Sequence, residues 1–168
     1  MLSYKQAGGY SRPCGKCALC GGRKGFKAMV ASASCITTPS NHSIPLRQQL
    51  TCKNYGIYVA TCTTCKEQYV GQTKNHFSTR WNSHRSTWRT GDLTDAKGDK
   101  MALAKHYIIN HPYPEKNKPD ISSCFMVTFV EEPPMSRLDI CEDKWLNDLR
   151  ASINPRFFRE RNEMLFSL

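Results

Sequence analysis

The sequence predicts an α+β domain, a small three-stranded antiparallel sheet flanked by helices, preceded by a Cys-rich segment. Two observations support this class. Strand and helix patterns follow one another in the order β-β-α-α-β-α beyond residue 50, and seven of the nine cysteines lie before residue 66. We therefore divide the chain into a Cys-rich basic segment, residues 1–52, and the α+β domain, residues 53–168.

A β-hairpin is expected to open the sheet. Residues 55–62 (YGIYVATC) are rich in strand-forming side chains, residues 67–70 (EQYV) supply the partner strand, and residues 63–66 form the turn. The third strand is expected at residues 124–130 (CFMVTFV), whose apolar composition suits a buried position. A pair of prolines ends this strand.

Three helices are expected around the sheet. The first covers residues 74–88, where three aromatic side chains recur at helical spacing. The second covers residues 101–110 (MALAKHYIIN) and ends before Pro112, and the third runs from a Ser136 cap to about residue 150. The first 50 residues are expected to be irregular, because neither a helical nor a strand period persists there.

The charge balance favours a polyanionic partner. Lys and Arg number 24 against 14 Asp and Glu, which gives a formal net charge of +10. Basic side chains displace the counterions condensed on nucleic acid, although an anionic membrane surface or an acidic protein could use the same charge. No apolar run reaches the roughly 18 residues of a membrane span, so we expect no membrane partner and no secretory signal.

The cysteine count argues for metal binding. Nine cysteines, an odd number, fit a complete disulfide framework poorly. The C-x-x-C spacings fit zinc better, because two thiolates separated by a tight turn reach the same tetrahedral ion. We therefore expect a reducing compartment, the cytosol or the nucleus. Of these two, the nucleus is the predicted location.

Five elements point to one chemistry. Residues 56–58 (Gly-Ile-Tyr) are followed, after ten residues, by residues 69–71 (Tyr-Val-Gly), then by Arg80 and His84 one helical turn apart, and by Glu142 on the last helix. In this order the elements resemble the GIY-YIG nuclease family. The resemblance implies the fold of that family and a DNA endonuclease activity that uses one divalent ion, Mg²⁺ or Mn²⁺.

The residue types themselves fit phosphodiester hydrolysis, which needs an activated water, neutralisation of developing charge and help for the leaving oxygen. Tyr58 and Tyr69 on paired strands would direct two phenols toward one site. Arg80 can bind a phosphate through two N–H groups, and His84 shares its helix face. Glu142 lies on or beside the apolar face of its helix, where a carboxylate needs a partner such as Mg²⁺.

The resemblance also implies roles for these positions. Glu142 would hold the divalent ion, Arg80 would contact the scissile phosphate, and Tyr58, assisted by Tyr69, would be the general base. His84 would orient a reacting group or relay a proton. Each residue alone has a simpler explanation: tyrosine pairs pack across strands, basic side chains lie on solvated helix faces, and glutamate is favoured near helix N-termini.

The resemblance covers residues 54–155, and one element departs from it. The family commonly places an asparagine shortly after the glutamate helix, in a Gly-x-Asn or similar ending. Here residues 154–158 (Asn-Pro-Arg-Phe-Phe) contain no such glycine. Asn154 and Asn162 are the candidates for the missing asparagine.

A first zinc site is expected at the hairpin. Cys62 and Cys65 lie inside the hairpin, and His106 and His111 follow in and just after the second helix. A Cys₂His₂ site would tie the hairpin tip to that helix. In the alternative interpretation, the cysteines are small core residues and His106 lies on a helix face.

A second zinc site is expected in the Cys-rich segment. Cys14, Cys17 and Cys20 form a C-x-x-C-x-x-C array, and Cys52, or alternatively Cys35, would supply the fourth ligand. Redox-active thiols or an Fe–S cluster are alternatives. Together with the hairpin C-x-x-C and the later H-x₄-H, this array is similar to the endonuclease of Penelope-like retroelements. That similarity implies nicking of chromosomal DNA to prime reverse transcription.

The sequence therefore predicts a zinc-supported endonuclease that nicks duplex DNA, with retroelement RNA or a reverse transcriptase domain as further partners. The alternative is a zinc-containing DNA- or RNA-binding module derived from such a nuclease and without turnover. The side chains expected to contact the duplex backbone are Lys74, Arg80, Arg85 and Arg89.

Overall fold

The computed structural model describes residues 8–21, 28–90, 102–111, 113 and 118–154. A three-stranded antiparallel sheet in the order β6-β5-β7 is formed by β5 (Gly56–Cys62), β6 (Gln68–Thr73) and β7 (Phe125–Glu131). The α-helices within these residues are α1 (Phe77–Thr90), α2 (Ala102–Asn110), α3 (Ile121–Cys124) and α4 (Leu138–Leu149). The predicted class and element order are confirmed, and the short α3 is an addition. None of the described helices has the length and apolarity needed to cross a membrane.

The sheet is buried on both faces, each against a different helix. Tyr58, Ala60 and Tyr69 face the aromatic side chains of α1, whereas Val59 and Val70 face α4. Successive side chains of a strand point to opposite faces, and this alternation produces the division. Because both faces are covered, β5 is apolar along almost its whole length.

Four short strands lie in the described residues of the Cys-rich segment. They are β1 (Tyr10–Arg12), β2 (Cys35–Thr37), β3 (Ser43–Pro45) and β4 (Gln49–Thr51). β1 pairs with β4 in parallel, and β2 pairs with β3 antiparallel. The expectation of irregular structure is wrong for these stretches, because a three-residue strand is too short to show an alternating pattern in sequence.

The same segment extends the core of the α+β domain. Val30 forms a parallel bridge to Val127, and the Met29 carbonyl accepts a hydrogen bond from the Val127 N–H at 2.8 Å. This stretch therefore covers the outer edge of β7, which would otherwise leave backbone groups unpaired. Leu19 and Leu50 are buried in the cluster that contains the sheet residues facing α1. The composition changes near residue 52, but the segments on either side of that position consequently pack in one core.

Backbone contacts fix the start of α1 against the sheet. The Phe77 N–H donates to the Asn54 carbonyl at 3.0 Å, and the Ser78 N–H donates to the Cys52 carbonyl at 3.3 Å. These bonds satisfy N–H groups that have no partner inside a helix. The Phe77 ring also stacks on Phe129, with 4.2 Å between the ring centroids. The rotation of α1 is thereby set, and with it the direction of the side chains one turn later.

The first turn of α4 lies beside β6. Asp139 accepts a hydrogen bond from Gln72 Nε2 at 2.7 Å. The predicted Ser136 cap is wrong, because the helix begins at Leu138 with Arg137 in the cap position and no side-chain cap bond. Ser136 instead lies in a preceding 3₁₀ turn.

Candidate active site and metal centres

Two phenols converge on the face of the sheet that α1 covers. The strand register pairs Tyr58 with Gly71 and Tyr69 with Ala60. The two tyrosine rings lie 6.3 Å apart between centroids, and both side chains are buried. The structure therefore brings Tyr58 and Tyr69 together, as the paired motif predicts.

Gly71 makes room for the Tyr58 ring. A Cβ added at Gly71 would lie 2.4 Å from both Cζ and the hydroxyl oxygen of Tyr58. No side chain larger than hydrogen fits there unless the phenol moves. Gly71, the last residue of the Tyr-Val-Gly motif, must therefore be glycine, because the Tyr58 side chain crosses β6 at this position.

We expect Gly71→Ala to lower the free energy of unfolding by about 1–3 kcal/mol, the usual cost of overpacking. The loss should nearly disappear when Gly71→Ala is introduced into a Tyr58→Ala background, because the clashing ring is then absent. Denaturant unfolding of the four proteins of this cycle measures the coupling. Equal losses in both backgrounds would show that the contact with Tyr58 is not the cause.

His84 holds the Tyr58 hydroxyl from α1. The hydroxyl oxygen lies 2.7 Å from His84 Nε2, and the imidazole is 4% exposed. Burial and then the Arg80 charge lower the pKa of His84 to about 3, so the ring is neutral and can accept the phenol hydrogen at Nε2. Burial raises the pKa of Tyr58 to about 12, although Arg80 opposes this shift.

Arg80 is a half-buried cation in contact with both phenols. Burial acts to lower the pKa of Arg80, but its charge and hydrogen-bond interactions with Tyr58 and Tyr69 outweigh that effect and raise it. The Arg80 Nε–H is buried and has no hydrogen-bond partner within the described residues. A fixed guanidinium with an unused donor suits an anionic ligand such as a phosphate oxygen.

Glu142 on α4 is linked to the same cluster electrostatically. Its side chain is half-buried, and its charge is among the causes that raise the pKa of Tyr58. The bond between Gln72 and Asp139 keeps this part of α4 beside β6. A half-buried carboxylate offers the oxygen ligand that Mg²⁺ or Mn²⁺ prefers, with water and a phosphate as further ligands. The residues present therefore fit a hard divalent ion.

Asn154 is built into the edge of the sheet. Its Oδ1 accepts from the Val70 N–H and its Nδ2 donates to the Val70 carbonyl, each at 2.8 Å. The side chain, 1% exposed, thus continues the backbone pairing of β6. Asn154 and Asn162 were the two candidates for the asparagine of the family. Asn154 lies in the core beside the Tyr-Val-Gly motif, and Asn162 lies outside the described residues.

The four predicted DNA contacts do not share one environment. Lys74 and Arg89 are exposed, and Arg80 is half-buried. Arg85 is only 7% exposed, and its Nη2 lies 4.0 Å from Met29 Sδ in the core. Arg85 was expected to contact the duplex backbone, but Met29 of the Cys-rich segment packs against it.

The family model of the GIY-YIG catalytic domain matches residues 54–154, more than half of the chain. The chain belongs to the GIY-YIG family. A solved structure, that of the catalytic domain of the homing endonuclease I-TevI, is similar at 21% sequence identity and a TM-score of 0.43. That likeness covers 60% of this chain and 94% of the I-TevI domain. No curated protein matches the chain at a significant level.

The GIY-YIG hairpin carries a first group of metal-ligating side chains at its tip. The Lys66 N–H donates to the Cys62 carbonyl at 2.9 Å and closes the turn. Cys65 Sγ lies 3.2 Å from His106 Nε2, and Cys62 Sγ lies 3.4 Å from His111 Nε2. All four ligand atoms fall within 4.8 Å of one another. Tetrahedral zinc places sulfur and nitrogen ligands about 3.5 Å apart, so the predicted set fits a zinc ion.

The second group joins the Cys-rich segment to the start of the GIY-YIG domain. The sulfur of Cys20 lies 3.7 Å from that of Cys14, 3.6 Å from that of Cys17 and 3.4 Å from that of Cys52. Sulfur ligands of tetrahedral zinc are about 3.8 Å apart. Cys35 is exposed on β2 and is not part of the group, so the structure favours Cys52 as the fourth ligand.

The acidities in these two groups also favour a cation. Burial raises the pKa of Cys17 to about 11 and that of Cys52 further still, because a thiolate in those positions loses hydration. Cys14 differs, because burial acts to raise its pKa but hydrogen bonds from the Lys16 backbone and neighbouring thiols lower it to about 7. Ionising Cys17 and Cys52 therefore requires a compensating positive charge. In the hairpin group, burial and then His111 lower the pKa of His106 to about 4, which leaves a neutral imidazole able to ligate a metal.

Proposed function

We propose that this GIY-YIG protein is a divalent-metal-dependent endonuclease that nicks one strand of duplex DNA. One observation supports the proposal above the others: two strands and two helices bring two phenols, a guanidinium, an imidazole and a carboxylate to one cluster. The members of that cluster are Tyr58, Tyr69, Arg80, His84 and Glu142. Together they cover the needs of phosphodiester hydrolysis: a base for the water, a cation for the developing charge and a ligand for a metal ion at the leaving oxygen.

In the proposed mechanism, Arg80 donates hydrogen bonds to the scissile phosphate and offsets the charge that develops on it. Glu142 would hold Mg²⁺ or Mn²⁺, which when bound would supply Lewis-acid stabilisation of the leaving oxygen. Tyr58, ionised in the reacting fraction of the protein and aided by Tyr69, accepts a proton from the attacking water at its phenol oxygen. Arg80 also lowers the cost of that phenolate, as its effect on the Tyr58 pKa indicates.

His84 is better suited to orienting Tyr58 than to removing its proton. The pKa of Tyr58 is about 12 and that of His84 is about 3. Transfer of the phenol proton to the imidazole would therefore be strongly unfavourable at equilibrium. The 2.7 Å contact fixes the phenol oxygen instead, and a neutral imidazole with its hydrogen at Nε2 can donate to that oxygen when Tyr58 is ionised. Of the two roles that the sequence left open, we propose the orienting one.

These pKa values predict the pH dependence of nicking. His84, with a pKa of about 3, stays neutral above about pH 5, and Tyr58, with a pKa of about 12, ionises more as pH rises. We expect the single-turnover nicking rate to increase steadily from about pH 6 to about pH 9, without an inflection near 6.5. Tyr58→Phe should remove most of this increase. An inflection near 6.5 that disappears in His84→Asn would contradict the assignment, because it would show that His84 titrates in the active enzyme.

We further propose that both metal-ligating groups hold structural zinc. Four protein ligands leave no open coordination position, which separates these sites from catalysis. The arrangement of the two groups within and before the nuclease domain supports a kinship with the endonuclease of Penelope-like retroelements. On that hypothesis the nick primes reverse transcription, retroelement RNA and a reverse transcriptase domain are partners, and the protein acts in the nucleus.

Incubation with supercoiled plasmid tests the proposed activity. With Mg²⁺ or Mn²⁺ we expect open circles to form before linear product, and no nicking without added divalent ion while zinc content stays constant. Linear product formed without an open-circle intermediate would contradict nicking of one strand. Cleavage that is independent of the added ion would contradict the metal site.

The burial of both phenols also favours a second candidate function. Tyr58 is 0% exposed and Tyr69 is 2% exposed, so neither has a direct path to bulk water in this conformation. A zinc-containing module that binds DNA or RNA without cutting it is consistent with that observation. Salt-sensitive DNA binding by a protein that never nicks would establish this second candidate.

A further inference from the structure

Charge is distributed unevenly along the chain. Residues 1–66 contain nine Lys and Arg and no Asp or Glu, whereas residues 67–168 contain 15 Lys and Arg against 14 Asp and Glu. The acid-free part therefore carries +9 of the net +10. The remainder, which holds Arg80, His84 and Glu142, is nearly neutral. Attraction to a polyanion thus resides mainly outside the part of the chain that supplies most of the catalytic cluster.

Three exposed cations of the acid-free part lie within two residues of the four-cysteine group in the sequence. Arg12 precedes Cys14 by two residues, Lys16 lies between Cys14 and Cys17, and Lys53 directly follows Cys52. All three are exposed, whereas the cysteines are buried or half-buried. The N-terminal basic cluster consists of Arg12, Lys16 and Lys53.

The Arg12 side chain is held in place rather than free in solvent. Its Cζ lies 3.9 Å from the centroid of the Tyr10 ring, and its backbone pairs with Thr51 through the parallel β1–β4 contact. A guanidinium stacked on an aromatic face keeps its N–H groups, which point outward in the guanidinium plane, available for hydrogen bonds. Such a group binds phosphate oxygens with little further loss of conformational entropy.

The N-terminal basic cluster is connected rigidly to the catalytic helix. The carbonyls of Cys52 and Asn54, on either side of Lys53, accept the hydrogen bonds that start α1. Arg80 and His84 lie on the first two turns of that helix. A DNA backbone bound to the cluster would therefore be held at a constant position relative to Arg80.

These charges have an alternative explanation in the metal group itself. Four thiolates and one Zn²⁺ leave a net charge of about −2, which nearby cations would stabilise. The acid-free part has nine cations, far more than this charge needs. Arg47, for example, is exposed on the stretch between β3 and β4 and belongs to neither metal group. Neutralising the charge of the metal group therefore does not account for the whole pattern.

We propose that the N-terminal basic cluster binds the phosphate backbone of duplex DNA next to the cleavage site. The proposal rests on the proposed function. A duplex is favoured over single-stranded nucleic acid because the large exposed apolar side chains of the described residues are Ile109, Met135 and Ile140, none of them aromatic. Single strands are bound largely by stacking on exposed rings.

The test compares two triple variants of the full chain in a Glu142→Gln background, which permits binding without cutting. The first is Arg12→Gln, Lys16→Gln and Lys53→Gln. The matched control, Arg137→Gln, Lys144→Gln and Arg150→Gln, removes the same charge from exposed positions around α4. Affinity for a duplex is measured over a range of salt concentrations, with zinc content and thermal unfolding recorded for each protein.

We expect the first triple variant to bind about 10-fold to 100-fold more weakly near 0.15 M salt. The slope of log affinity against log salt concentration should become shallower by up to about 2.7, because each lost phosphate contact removes about 0.9. Zinc content should not change. Equal weakening by both triples, or a loss of zinc that accounts for the weakening, would overturn the proposal. The proposal would also be overturned if the Glu142→Gln parent preferred duplex RNA and the first triple variant lost affinity only for RNA.

The plasmid assay keeps this inference separate from the proposed function. If the natural sequence nicks DNA but the first triple binds DNA like its parent, only the present inference fails. If the natural sequence never nicks but the first triple alone loses DNA affinity, the surface stands and the endonuclease fails. A natural sequence that neither nicks nor binds DNA overturns both.

Discussion

Cys52→Ser should lose one of two bound zinc ions and much of the stability of the fold, whereas Cys35→Ser should lose neither. Cys52 is fully buried and its sulfur lies 3.4 Å from that of Cys20. Its carbonyl also holds the first turn of α1. Because metal-binding energy contributes directly to folding in such sites, we expect the free energy of unfolding to fall by on the order of 5 kcal/mol.

Zinc stoichiometry by elemental analysis and thermal unfolding by circular dichroism measure the two effects together. Cys35→Ser is the matched control, since it makes the same chemical change at an exposed position outside the group. Retention of two zinc ions by Cys52→Ser would contradict the ligand assignment. Loss of zinc from Cys35→Ser would restore the alternative ligand that the sequence allowed.

Arg80→Gln should reduce the nicking rate by about 10²–10³-fold, the usual cost of removing one preorganised donor from a charge-stabilising site. Arg80 contacts both phenols and carries a buried Nε–H with no partner among the described residues. Arg80→Lys should restore little activity, because a single ammonium cannot bind the phenols and a phosphate through a planar fork. Single-turnover nicking of a duplex at saturating protein isolates this effect from binding.

Arg137→Gln is the control for this prediction. Arg137 is exposed and lies near Cys141, in the cap position before α4 and away from the catalytic helix. Its removal changes the net charge by the same amount but should leave the rate within about 2-fold. Comparable losses in the two variants would show that overall charge, not the Arg80 contact geometry, controls the rate.

Much of the catalytic unit could be predicted because its signals are local. The hairpin, the aromatic spacing of α1 and the order of Tyr58, Tyr69, Arg80, His84 and Glu142 are all visible in the sequence. The two metal groups were also predictable, since C-x-x-C and H-x₄-H spacings confine ligands to few geometries. The structure brings each predicted set together, while the bound ions remain a prediction.

The features that could not be predicted depend on contacts between distant parts of the chain. The burial of Arg85 follows from the packing of Met29, 56 residues away, over α1. The role of Asn154 is visible only in its hydrogen bonds to Val70. The sequence around either residue does not indicate that the two are paired. The need for Gly71 likewise arises from the path of the Tyr58 ring across the neighbouring strand.

The central claim is that the cluster around Tyr58 is a working nuclease centre whose metal ligand is Glu142. The most direct test is plasmid nicking with Mg²⁺ or Mn²⁺ by the natural sequence, by Glu142→Gln and by Asp148→Asn, an exposed carboxylate of the same helix. All three proteins must contain equal zinc. We predict metal-dependent nicking by the natural sequence and Asp148→Asn, and a loss of about 10³-fold or more in Glu142→Gln. Undiminished nicking by Glu142→Gln, or no nicking by any of the three, would contradict the claim.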